Sequence, residues 1–135
     1  MRLLALGLVF TLGTAQPLGL PISGWLTVPR SIPLAQTVVM VCPAADAQCE
    51  GQPVARQKPR GGDNRGYYAV VGLAPGKYVV WAFQDKDGNG KLERAAEPYA
   101  PHGLLDQTTG KLERIPYEVE PPAFGVNLSL DLEGF

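Results

Sequence analysis

The stretch Tyr78-Val79-Val80-Trp81-Ala82-Phe83 constrains this chain more than any other, because every position is apolar and all but Ala82 are β-branched or aromatic. So short and branched a run, apolar on both faces, predicts a central strand covered on both sides. Trp81 and Phe83 then share one face with Asp85, and Tyr78, Val80 and Ala82 share the other. A second apolar run, Gly66 to Leu73, precedes it across Ala74-Pro75-Gly76. Pro followed by Gly supplies the fixed and positive φ values of a type II turn, so the two runs predict an antiparallel hairpin.

Elsewhere the chain reads as strands and turns. Gly24 to Val28, ended by Pro29, predicts a first strand, and Gln36 to Cys42 a second. Glu50 to Gly66 reads as a polar loop. Its Arg56, Lys58, Arg60 and Arg65 are dispersed and lack interleaved aromatics, which favours a solvated loop over a nucleic-acid site. Leu92 to Ala96 has room for one helical turn before Pro98, and Tyr99 to Lys111 reads as a turn-rich connection. Leu112 to Val119 is interrupted by Pro116 and suits an edge or bulged strand. The last segment alternates, with Phe124, Val126, Leu128, Leu130 and Leu132 on one face and Asn127, Ser129, Asp131 and Glu133 on the other. Many turns joining short strands predict one all-β domain over residues 16–135.

The N-terminus reads as a signal peptide over residues 1–15. Met1-Arg2 is a positive start, Leu3 to Leu12 an apolar run, and Gly13-Thr14-Ala15 places small residues at a cleavage site, leaving Gln16 first. The run is shorter than the about 20 apolar residues of a membrane span, so secretion or periplasmic release is expected. Cys42 and Cys49 fit such a compartment as a structural disulfide, worth about 2.5 kcal/mol by chain entropy for so small a loop. A zinc site is disfavoured, since His102 is the only histidine and no Cys-x-x-Cys pair is present. The net charge of -1 gives no electrostatic reason for nucleic acid or an anionic membrane as partner.

The central run leads directly into Asp85-Lys86-Asp87-Gly88-Asn89-Gly90. Oxygen-bearing side chains at alternate positions followed by glycine are the opening of an EF-hand-type calcium loop. Counting from Asp85, side-chain ligands are expected from Asp85, Asp87 and Asn89, a backbone carbonyl from Lys91, and a direct or water-mediated contact from Glu93. The twelfth position, which normally carries a bidentate carboxylate, is Ala96, and Glu97 comes one residue late. Either Glu97 reaches in, because a strand rather than a helix enters the loop, or the site lacks its closing carboxylate. The competing reading is a bare polar turn built on Asp-Gly and Asn-Gly; alternating carboxylates favour calcium, and flexible geometry favours calcium over magnesium. Gly90-Lys91-Leu92-Glu93-Arg94 recurs as Gly110-Lys111-Leu112-Glu113-Arg114, but the second copy is preceded by Leu105, Gln107 and Thr109 where the first has its ligands. A second metal site is not expected.

The glycine-led first strand, Leu73-Ala74-Pro75-Gly76-Lys77-Tyr78, the Asp-rich loop and the final alternation together resemble secreted prealbumin-like modules. The resemblance is to the carboxypeptidase-regulatory-like group and to bacterial exported proteins with an Asp-rich loop after such a hairpin. It implies a single antiparallel β-sandwich of about seven strands, of immunoglobulin or prealbumin type, and no catalytic residues. The hydroxyisourate hydrolases of the same fold use several histidines and a Tyr-Arg-Gly-Ser ending, whereas this sequence has one His and ends Asp131-Leu132-Glu133-Gly134-Phe135. The leading expectation is thus a non-catalytic exported module with an unknown protein or glycan partner. A carbohydrate-binding module would use Trp25, Tyr67 or Tyr99 as stacking platforms. A small hydrolase would have to pair His102 with Ser23, Ser31 or Ser129, and no Gly-x-Ser-x-Gly motif prepares that. Asn127-Leu128-Ser129 matches a glycosylation sequon, but its place inside a strand and the bacterial style of the leader argue against modification.

Overall fold

The structure, a computed structural model, describes residues 19–131. The predicted leader and Leu132 lie outside the described residues. The described residues are all-β, with two four-stranded sheets and a two-stranded ribbon. The first sheet has the order β10 (Leu128–Ser129), β1 (Leu20–Thr27), β5 (Arg65–Leu73), β4 (Arg60–Gly61). The second runs β3 (Ala55–Gln57), β2 (Thr37–Pro43), β6 (Tyr78–Gln84), β7 (Tyr99–Pro101), and β8 (Gly103–Asp106) pairs with β9 (Glu113–Pro116). Pairing is antiparallel except that β10 runs parallel to β1.

Period-two alternation builds the core. Ile22 and Leu26 of β1, Tyr68 and Val70 of β5 and Leu128 of β10 meet Val39 and Val41 of β2 and Tyr78, Val80 and Ala82 of β6. The outer face of the second sheet is also buried, because Val38, Met40, Cys42, Val79, Trp81 and Phe83 are covered by Cys49, Leu92 and Tyr99. The central strand is therefore dry on both faces, as its composition predicts, and the covers are the disulfide loop and the segment after Asp85.

The Pro-Gly connection corrects the expected hairpin. β5 pairs with β1 and β4, whereas β6 pairs with β2 and β7, so Ala74-Pro75-Gly76 carries the chain from one sheet to the other. Turn chemistry is indifferent to whether its strands lie side by side or face each other; here the buried faces of both strands meet across the core. Gly72 (φ 83°) lies within β5 where its register against β1 shifts, and the Tyr78 hydroxyl donates to the Ala74 carbonyl at 2.7 Å.

Other boundaries move as well. β1 starts at Leu20, so Gly24 lies within it, where a Cβ would come within 2.1 Å of the Val126 carbonyl oxygen. The 50–66 segment contains the short edge strands β3 and β4, and 99–111 contains β7 and β8. The final alternation holds for buried Val126, Leu128 and Leu130 but fails at Phe124, which is 72% exposed. Gly125 between them has φ 70° and breaks the alternation. Asn127 accepts the Trp25 N–H through Oδ1 at 2.9 Å, replacing a ladder bond with a side-chain one.

Tyr68 of β5 ties the segment leading into β10 to the first sheet by donating its hydroxyl to the Val126 carbonyl. Burial, and secondarily the neighbouring Tyr67, push its phenol well above the usual tyrosine value. The folded value exceeds the unfolded one of about 10, so this stabilisation is complete below about pH 10 and falls as pH rises beyond it. Tyr68→Phe is expected to cost about 1–3 kcal/mol at neutral pH by orphaning the carbonyl, and to flatten the loss above about pH 10. Urea unfolding of both proteins at neutral and alkaline pH measures both effects.

Candidate metal site

β6 delivers Asp85 to the end of the second sheet, where its N–H donates to the Gln36 carbonyl at 2.7 Å. The loop then closes on itself. Asp85 Oδ2 accepts the Gly90 N–H at 2.8 Å, Asp87 Oδ1 the Asn89 N–H at 3.2 Å, and Asn89 Oδ1 the Lys91 N–H at 2.9 Å. The last two are successive Asx turns, the first spans the loop, and Gly88 (φ 72°) and Gly90 (φ 77°) take the left-handed conformations that let the loop reverse so tightly.

Glu97 closes the ring. Its Oε2 accepts the Lys86 N–H and its Oε1 the Glu93 N–H, each at 2.8 Å, and it is only 5% exposed. One turn does this, with the Glu97 and Ala96 N–H groups both donating to the Glu93 carbonyl at 2.9 and 3.0 Å. The carboxylate displaced by one position thus reaches inward, and Ala96 needs no role. Carboxylate oxygens of Asp85, Asp87 and Glu97 lie within 4.8 Å of one another, an acidic cluster that could hold a metal ion.

Two features speak to what such a cluster wants. Asp85 is 8% exposed and its Oδ1 is buried without a hydrogen-bond partner. A hydrogen bond that a protonated Glu93 gives to Asp87, followed by the Asp87 charge, lifts the Glu93 carboxyl above the usual range. The same bond, followed by one from the Asn89 backbone, holds Asp87 below it. Crowded carboxylates with an unsatisfied buried oxygen are a hard-donor set suited to a cation.

Of the sequence-predicted residues, Asp85, Asp87 and Glu97 converge, Glu93 sits against Asp87, and Asn89 and Lys91 form the tip turn through the Asn89 Oδ1 to Lys91 N–H bond. Cys42 and Cys49 form the expected disulfide, with Cα atoms 5.5 Å apart. Its loop lies over the central strand, where Trp81 Nε1–H donates to the Ala47 carbonyl at 3.0 Å. Such a bond fits a non-reducing compartment, and among the described residues no helix is long and apolar enough to cross a membrane.

The recurring pentapeptide has a structural meaning that ligand spacing does not expose. Its two arginines converge on one ring: the Arg94 and Arg114 guanidinium carbons lie 5.0 and 3.9 Å from the Tyr99 ring centre. Arg114 also donates to the Tyr99 carbonyl at 3.0 Å, and Arg94 to the carbonyls of Gln48 and Cys49. The first copy leads into a turn and only the second into a strand, β9. Tyr99 is packed in this way rather than left as an open platform. Trp25 and Tyr67 are 38% and 43% exposed and meet edge to face at 5.3 Å, with Arg65 over the Trp25 ring.

His102 and Ser129 border a common cleft of about 390 Å³. They are spent on other partners there: His102 Nδ1 lies 2.7 Å from the Asn127 carbonyl oxygen, and Ser129 Oγ accepts the Asp131 N–H at 3.2 Å. No protein-family model, curated protein or solved structure matches this chain.

Proposed function

We propose that this protein is an exported, non-catalytic β-sandwich of prealbumin-like type, acting as a binding or structural module whose 85–97 loop is braced by calcium. The observation that carries the reading is the Asp85 Oδ1 oxygen, buried and unpartnered beside the Asp87 and Glu97 carboxylates. A bare turn needs glycines and Asx bonds, all of which this loop has, but it has no use for a buried carboxylate oxygen that nothing satisfies. Oxygen donors alone, on a loop with two glycines, suit calcium's flexible six- to eight-fold coordination. Asp85, Asp87 and Glu97 would hold the ion, with Asn89, Glu93 and the Lys91 carbonyl as the remaining donors. Export follows from the leader sequence and agrees with the disulfide.

Extracellular modules bind calcium at about 10⁻⁴ to 10⁻³ M, so millimolar calcium adds about 0.4–1.4 kcal/mol by mass action. That magnitude makes the ion a brace rather than a folding switch. Scanning calorimetry should show the melting temperature of the wild type a few degrees higher in millimolar calcium than in chelator, and no such difference for Asp85→Asn/Asp87→Asn. An unchanged wild-type melting temperature together with no calorimetric binding of calcium removes the metal reading.

The exposed pair Trp25 and Tyr67 favours a second reading, a carbohydrate-binding surface on the outer face of the first sheet. Retention on a glycan array that Trp25→Ala abolishes would support it, and no retention would remove it.

A further inference from the structure

Two clefts on the outer side of the second sheet join. The first, about 580 Å³, lies between the Asp85–Gly90 loop and a wall carrying Arg56 and Lys58, with Ala35 and Val38 also lining it. The second, about 470 Å³, continues past Met40 and Leu92 to Glu50 at the disulfide loop. Arg56 and Gly90 border both, so the two form one groove, each part within the size range of ligand sites.

We propose that this groove binds an extended acidic peptide segment, with its carboxylates against Arg56 and Lys58, in a calcium-dependent manner. The inference rests on the calcium reading above and names its partner. Arg56 stands opposite Met40 in the β2–β3 register, on the outer face, and neither it nor Lys58 has an ion-pair or hydrogen-bond partner among the described residues. Unpaired cations facing a cleft recognise anions, Arg by a planar fork matched to a carboxylate. The facing wall carries Asp85 and Asp87 with Lys86 between them, and a divalent ion held by the two carboxylates removes their repulsion of an anion and leaves the wall cationic. Binding is therefore gated by calcium through charge. Val38 and Met40, both nearly buried, and the partly buried Leu92 form an apolar floor to the groove, and no aromatic ring lines it. Sugar rings stack on aromatics, so the peptide is the better occupant.

Selection of a random octapeptide phage library on the immobilised full chain in millimolar calcium, eluted with chelator, tests this. Calorimetry of one selected synthetic peptide, its acid-to-amide counterpart, an oligogalacturonate and calcium alone follows. Selected peptides should be rich in Asp and Glu, and binding should fall ~10-fold or more in chelator, with the amide peptide, and with Arg56→Gln or Lys58→Gln. Calcium affinity of those variants should stay at the wild-type value. Calcium binding without acidic-peptide selection, peptide binding indifferent to Arg56→Gln and Lys58→Gln, or oligogalacturonate binding in place of peptide overturns the proposal and leaves the calcium site standing. Absence of calcium heat in the wild type removes the calcium reading and the gating with it.

Discussion

Glu97→Ala is expected to remove the calcium response and to lower stability by about 2–5 kcal/mol even in chelator, because two backbone donors lose their acceptor at once. Glu97 is almost fully buried and takes the N–H groups of Lys86 and Glu93, one on each oxygen, so it joins the entry of the loop to its exit. Each carboxylate oxygen keeps a second lone pair, so the hydrogen bonds and an ion are compatible. Glu97→Gln separates the two roles: it keeps the size and one acceptor but loses the charge and turns an amide toward an N–H. Alanine should be the less stable variant in chelator, and both variants should be insensitive to calcium. Urea unfolding with and without millimolar calcium measures both quantities. A Glu97→Ala protein that unfolds with the wild type in chelator would show that the ring closed by Glu97 is not what holds the loop.

The chemistry of this site was legible in the sequence, and its closure was legible only as a choice. Alternating Asp85, Asp87 and Asn89 are local, and their side-chain bonds to backbone N–H groups form within the loop, so spacing alone points to them. Which carboxylate closes the ring depends on how the chain leaves the loop. The twelfth-position rule assumes an exiting helix; here one turn anchored on the Glu93 carbonyl is followed at once by Pro98 and an edge strand, which moves the inward position to Glu97.

The same division runs through the fold. The two faces of β6 are readable because a run that is apolar on both sides has one stable environment. The partner of β5 is not readable from Pro75-Gly76, since a turn motif reports only that the chain changes direction. β3 and β4 are two or three residues long and carry Arg56, Arg60 and Gly61, too short for any period and too polar for strand composition. The groove is hidden for the same reason: Arg56 reads as one of several dispersed loop charges until pairing with β2 places it opposite Met40.

Trp81→Ala should have an effect of similar or greater size, about 3–5 kcal/mol, and it tests whether the covers of the outer face belong to one unit. Trp81 is 0% exposed at the centre of β6, its Nε1–H donates to the Ala47 carbonyl inside the disulfide loop, and Arg94 lies 5.7 Å from its ring centre. Arg94 lies within the 85–97 loop and also donates to the Gln48 and Cys49 carbonyls. The indole therefore touches both the disulfide loop and the segment that carries Glu93 and Glu97. Removing it leaves a cavity between them and an unpaired carbonyl, and calcium affinity should weaken although no ligand has changed. Trp81→Phe restores most of the volume and not the hydrogen bond, so it should recover much of the stability. Urea unfolding gives the first quantity and calcium calorimetry on the folded variants the second. If Trp81→Ala binds calcium as the wild type does, the loop is braced from within its own ring of carboxylates, and the disulfide side of the face contributes only to stability.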